Sequence, residues 1–131
     1  MSRAYLFVYG TLRRGSKNRF AGVLASQARF AGTGRISAEL YDLGKYPGAV
    51  PSEVPGRQVE GDVFLLKTSG KMLRILDAYE GPQFQRSTTL VQLPSGRQIE
   101  CWVYWWRGAR ARACRVYTRV SGNPGLIAAR R

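Results

Sequence analysis

A chain of 131 residues, 44% hydrophobic and 11% aromatic, suits a single domain that buries about two-thirds of its unfolded surface. It carries 21 basic and 8 acidic side chains, a net charge of +13, and no histidine. Without histidine a Ser or Cys nucleophile lacks its usual base, and Cys101 and Cys114 show no metal-ligand spacing, so triad chemistry and zinc sites are excluded.

The apolar run Tyr5-Leu6-Phe7-Val8-Tyr9 reads as a buried strand. It is too short for the core of a signal sequence or for a membrane span, so the expected compartment is the cytoplasm; there two thiols are more often reduced and structural, with a Cys101–Cys114 disulfide as the open alternative. The strand runs into Gly10-Thr11-Leu12-Arg13-Arg14-Gly15, a tight loop whose backbone N–H groups can close around a small anion. A nucleotide phosphate loop fits poorly: Ser16-Lys17 inverts the order that motif needs, and no long amphipathic helix follows. Asn18 to Leu24 has the spacing of a short helix, with Phe20, Val23 and Leu24 on one side.

From Ala28 to Leu43 two extended stretches are expected, broken around Gly32-Thr33-Gly34. Three prolines and three glycines between Gly44 and Gly56 then predict a rigid, irregular surface loop. Gln58 to Leu66 returns to strand character, with Val59, Val63 and Leu65 alternating and Gly61 marking a bulge or a close backbone approach. Thr68 or Ser69 can cap a helix that runs to Glu80 and stops at Gly81-Pro82. Arg86 to Leu93 and Arg97 to Trp106 form a hairpin around Pro94-Ser95-Gly96. On its second strand Ile99, Cys101, Val103 and Trp105 face one way and Trp102, Tyr104 and Trp106 the other, the pattern of a strand buried on both faces. The basic segment after Arg107 is expected to be an irregular tail, beginning at about residue 108 of a domain spanning 1–131. Five to six strands and one late helix make an α+β fold, a curled mixed sheet with helices against it.

Glu80 is the strongest candidate for chemistry. On the helix, Met72, Leu73, Leu76 and Tyr79 make the apolar stripe, and Glu80 follows Leu76 by four residues and Leu73 by seven, which puts it on the inward face. Burial and the helix dipole both raise the pKa of a carboxylate there, suiting it to act as a base near neutral pH. The competing reading has the helix end fray at Gly81, turning Glu80 outward to pair with Arg86 or Arg74. Asp77 lies nearer the polar side, so a working carboxylate pair is a weak reading. Tyr5, Tyr9, Trp102, Trp105 and Trp106 read as core or cavity wall. An enzyme with this inventory runs on one acid–base residue, and its substrate brings its own nucleophile.

In order, Phe7-Val8-Tyr9-Gly10-Thr11-Leu12-Arg13-Arg14-Gly15, Tyr46-Pro47-Gly48-Ala49, Val59-Glu60-Gly61-Asp62-Val63 and Leu76-Asp77-Ala78-Tyr79-Glu80-Gly81 resemble the gamma-glutamylcyclotransferase-like proteins. Phe84-Gln85-Arg86-Ser87-Thr88 and Val103-Tyr104 continue the likeness, with Thr11 in place of the commoner serine. The resemblance implies a compact mixed barrel with flanking helices and a pocket between the first loop, the Pro-Gly segment and the glutamate. It implies that Tyr9, Gly10, Thr11 and Leu12 hold the α-amino-acid end of a substrate, with Pro47, Gly48 and Tyr104 around it and Glu80 as the catalytic acid–base. The implied reaction cleaves a γ-glutamyl amide by attack of its own α-amine, releasing 5-oxoproline and an amine, with no metal or cofactor.

Two other readings stay open at this point. One is a protein of the same fold that binds a small carboxylated metabolite without turning it over. The other is nucleic-acid binding through the 17 arginines, seven of them after Cys101 with no Asp or Glu among them. Against the latter, the basic residues stand singly or in pairs, as on a solvated surface. Oligomeric state is not legible in the sequence.

Overall fold

The computed structural model of the chain describes residues 4–9, 26–42, 47–67, 69–107 and 114–116. In chain order the elements are β1 (Ala4–Val8), β2 (Ala28–Asp42), β3 (Pro47–Pro51), β4 (Gln58–Leu66), the helix α1 (Ser69–Glu80), β5 (Phe84–Gln92), β6 (Gln98–Trp106) and β7 (Cys114–Val116). Five strands close on themselves in the order β2-β4-β1-β6-β5, and β5 returns to β2 where Gln92 meets Arg35. β1 and β6 run parallel at Leu6 and Trp102, and the other pairs are antiparallel. The expected α+β class, with a curled barrel at its centre, is the fold found.

Alternation along the strands sorts the apolar residues into two cores. Phe7, Ile36, Val59, Val63, Val91, Cys101, Val103 and Trp105 come from all five ring strands and fill the barrel interior. Leu6, Val8, Phe64 and Leu66 point outward, where Met72, Leu73 and Leu76 of α1 cover them together with Tyr104. β6 therefore is buried on both faces, as its sequence predicts. Cys101 is a free thiol inside the barrel, its pKa pushed up to about 12 by burial, and is inert.

Three expectations are corrected. Ala28 to Asp42 is one continuous strand, with an irregularity between Phe30 and Gly32 in place of a break. Gly32 takes φ +128° and absorbs that irregularity, while Gly34 packs against Val91 and faces Gly61 across the ladder. The glycines let the strand curl; they do not end it. Pro47–Pro51 is likewise a strand, largely buried, where an irregular loop was expected. Its prolines fit because, among the described residues, β3 pairs only with β2, so an absent N–H can face away from the ladder. In the basic tail, Cys114–Val116 pairs with the far end of β2, opposite Leu40 to Asp42.

Gly61 marks a close backbone approach rather than a bulge: a Cβ there would run into the Val8 carbonyl oxygen and the Phe7 ring. The helix ends as its sequence dictates, with Gly81 at φ +85° and its N–H donating to the Asp77 carbonyl at 3.1 Å. The expected helix at Asn18–Leu24 lies outside the described residues. Among the described residues no helix is long and apolar enough to cross a membrane.

Candidate active site

The site is built where β1 ends, beside the last turn of α1. Tyr9 follows β1 directly and swings its ring against the barrel core. Its hydroxyl donates to the Tyr104 carbonyl at 2.6 Å and accepts from the Ala49 N–H at 2.9 Å. One phenol thus joins β1, β6 and β3. Burial raises its pKa, and the nearby charge of Glu80 adds to the rise, so the hydroxyl stays protonated.

Tyr104 reaches the other way. Its ring packs in the core under α1, and its hydroxyl donates to Asp77 Oδ1 at 2.6 Å. Burial raises its pKa first and Asp77 second, with Glu80 contributing as well. Asp77 also takes a forked pair of bonds from Arg86, Nε to Oδ1 at 2.8 Å and Nη2 to Oδ2 at 3.0 Å. Those bonds hold the Asp77 carboxyl below the usual carboxylate range despite the cost of its partial burial. The Arg86 guanidinium lies 4.5 Å from the Trp102 ring centroid, which fixes its plane.

Glu80 is half-buried at the end of α1, and burial pushes its pKa up to about 7. Arg86 does not pair with it, because Asp77 already occupies the fork; the outward-turned alternative is therefore not what the fold adopts. A carboxylate that exchanges its proton near pH 7, with its charge felt by two neutral phenols, can take and return a proton.

The structure bonds Tyr9 to Tyr104, leaves both within electrostatic reach of Glu80, and places Pro47 and Gly48 on β3 beside Ala49, the partner of Tyr9. Gly10, Thr11 and Leu12, which continue directly from Tyr9, lie outside the described residues. What sequence reasoning missed is the Asp77–Arg86–Tyr104 cluster. Its only signal in the sequence is two carboxylates three residues apart with an arginine shortly after, a spacing that by itself reads as a weak pair of acids. Among the described residues no three of His, Cys, Asp and Glu gather as metal ligands.

Comparison with known proteins points in one direction. A family model described as gamma-glutamyl cyclotransferase, AIG2-like, matches residues 6–122. The human protein named gamma-glutamylaminecyclotransferase is 33% identical over 124 aligned positions, covering 77% of this chain and 77% of that one. The crystal structure of a mouse AIG2-like protein superposes with a TM-score of 0.72 at 28% identity, over 100% of this chain and 98% of the other. An uncharacterized protein of Pyrococcus horikoshii shares the fold at 21% identity and a TM-score of 0.62, over 86% and 85% of the two chains.

Proposed function

This chain belongs to the gamma-glutamyl cyclotransferase, AIG2-like family, and on that premise we propose that it cleaves a γ-glutamyl amide by ring closure, releasing 5-oxoproline and a free amine. The observation that carries this is Glu80, a single half-buried carboxylate with its pKa raised to about 7, next to Tyr9 and Tyr104. Glu80 takes one proton from the substrate's α-ammonium. The freed amine attacks the γ-carbonyl carbon, a C–N bond forms, and the old C–N bond to the leaving nitrogen breaks. The proton on Glu80 and the surplus proton of the ring nitrogen both end on the leaving group, which departs as an ammonium ion.

This division of labour suits a site with so few ionisable parts. The nucleophile is part of the substrate, and holding an intramolecular reaction in line is worth up to ~7–11 kcal/mol. We assign the α-carboxylate to the backbone N–H groups of Gly10, Thr11 and Leu12, and the wall around the γ-glutamyl chain to Tyr9, Pro47, Gly48 and Tyr104. The phenols stay neutral and donate or accept without competing for the proton that Glu80 moves. The test is release of 5-oxoproline from a panel of γ-glutamyl compounds: γ-glutamyl amino acids, γ-glutamyl alkylamines and γ-glutamyl-ε-lysine. We expect turnover of at least one class, lost in Glu80→Gln. Saturable binding of the panel without 5-oxoproline release would replace this reading with that of a non-catalytic binding protein.

A further inference from the structure

We infer that Asp77 is a positioning residue for Glu80: clamped by Arg86 and Tyr104, it pins the last turn of α1 against β5 and β6 and so fixes where the Glu80 carboxylate lies. This rests on the reading of Glu80 as the acid–base group. Asp77 precedes Glu80 by three residues, so the two share one turn and one side of the helix. Its own carbonyl accepts the Gly81 N–H, the bond that closes the helix. Whatever holds Asp77 therefore also holds the turn that carries Glu80.

An isolated exposed ion pair would do little of this. Here the side chain of Asp77 is 42% exposed, but its geometry is over-determined. The forked bonds from Arg86 set the plane of the carboxylate, the short bond from the buried Tyr104 hydroxyl sets its position, and Trp102 sets the plane of Arg86. The same Tyr104 accepts the Tyr9 hydroxyl at its carbonyl. One continuous chain of bonds thus runs from Ala49 on β3, through Tyr9 and Tyr104, to Asp77 and Arg86. Glu80 is carried on the helix turn that this frame holds. An anion in the last turn opposes the helix dipole, so without the clamp the turn would fray and release Glu80 to water.

Among the described residues, the titratable groups on which the charge of Glu80 acts are Tyr9 from the end of β1 and Tyr104 from β6; Asp77, three residues earlier on the same helix, has Arg86 of β5 as its partner. This set allows positioning to be separated from simple charge. Removing a neighbouring anion lowers a carboxyl pKa and removing a neighbouring cation raises it. Losing the clamp lowers the pKa of Glu80 in either case, because the carboxyl then meets water.

The experiment is carbon-13 NMR titration of the glutamate side-chain carboxyls in the full chain, with the Glu80 signal identified by its absence from Glu80→Gln. Asp77→Asn and Arg86→Gln are each expected to move the Glu80 midpoint down by about one unit or more, and Arg86→Lys by less. An Arg86→Gln midpoint that rises or stays at the wild-type value overturns the proposal. Should that variant not fold, by circular dichroism, Tyr104→Phe decides instead. It removes one uncharged hydroxyl and keeps the ring, so a fall supports the clamp and an unchanged midpoint overturns it. The titration does not use turnover, so a wild type that releases no 5-oxoproline would count against the proposed reaction and not against the clamp. In an active wild type, kcat of Arg86→Gln should fall about 10–100-fold with KM little changed.

Discussion

A carboxylate in the last turn of a helix meets the negative end of the helix dipole, and Glu80 is half-buried besides, with its pKa pushed from 4.5 to about 7. Its folded pKa lies above its unfolded value, so the protonated form favours the native state. That contribution is whole below about pH 4.5 and is lost as the pH rises through about 7. Glu80→Gln never ionises. It should match the wild type in urea unfolding at pH 4 and exceed it by about 1–3 kcal/mol at pH 8. The same substitution should lower 5-oxoproline release by about 10²–10⁴ and abolish the rise of wild-type rate with pH through about 7. A Gln variant that keeps most of its rate would show that Glu80 is not the base. Tyr9→Phe probes a different cost. It strips a partner from both the Tyr104 carbonyl and the Ala49 N–H, and thermal unfolding should report a loss of about 1–3 kcal/mol. At this scale the sequence was informative about Glu80, whose inward placement follows from helical spacing. It was silent on Asp62, an acidic residue only 3% exposed, because a period-two pattern shows which face a residue takes but not what covers that face.

Elements with one clean period were legible: β1, β4, α1 and the β5–β6 hairpin lie within two residues of where spacing and turn residues put them. Two of the three failures, at β2 and β3, share a cause. Gly32, Gly34, Pro47 and Pro51 are local breakers, and in β2 and β3 tertiary pairing overrides them. At Gly34 and Gly61 the missing side chain is what allows neighbouring strands to close up. Gly61 sits against the Val8 carbonyl, which is backbone and cannot swing aside, so Gly61→Ala should force β1 away from β4. We expect a loss of about 1–3 kcal/mol by denaturant melt. Because Tyr9 leaves the end of β1, activity should fall further than stability alone explains, with the excess read from turnover under conditions where the variant is fully folded. Equal losses would mean that the shift is absorbed before it reaches Tyr9.

On the scale of the whole molecule, the site exists only because the barrel closes. Tyr9 meets Ala49 and Tyr104 across sequence separations of 40 and 95 residues, contacts that no local pattern encodes. The two-faced apolar pattern of β6 points to a closed or curled sheet, but where it closes, at Arg35 and Gln92, is beyond period and propensity. The net charge of +13 acts at this same scale. Like charges spread over one small domain repel each other, and added salt screens exposed charges beyond a Debye length of about 10 Å at 0.1 M. Raising ionic strength from about 0.05 to 0.5 M should therefore raise the melting temperature, as the self-repulsion is screened. Turnover of a γ-glutamyl compound with a neutral leaving side should change by no more than about threefold over the same range, because the proposed contacts are backbone groups and a half-buried carboxylate rather than a surface field. Binding through the arginine-rich surface to a polyanion would instead weaken by orders of magnitude. Parallel salt series on melting and on 5-oxoproline release check both limbs. A rate that collapses with salt while the fold grows more stable would place the basic surface in substrate capture and overturn the division proposed between the charged exterior and the site.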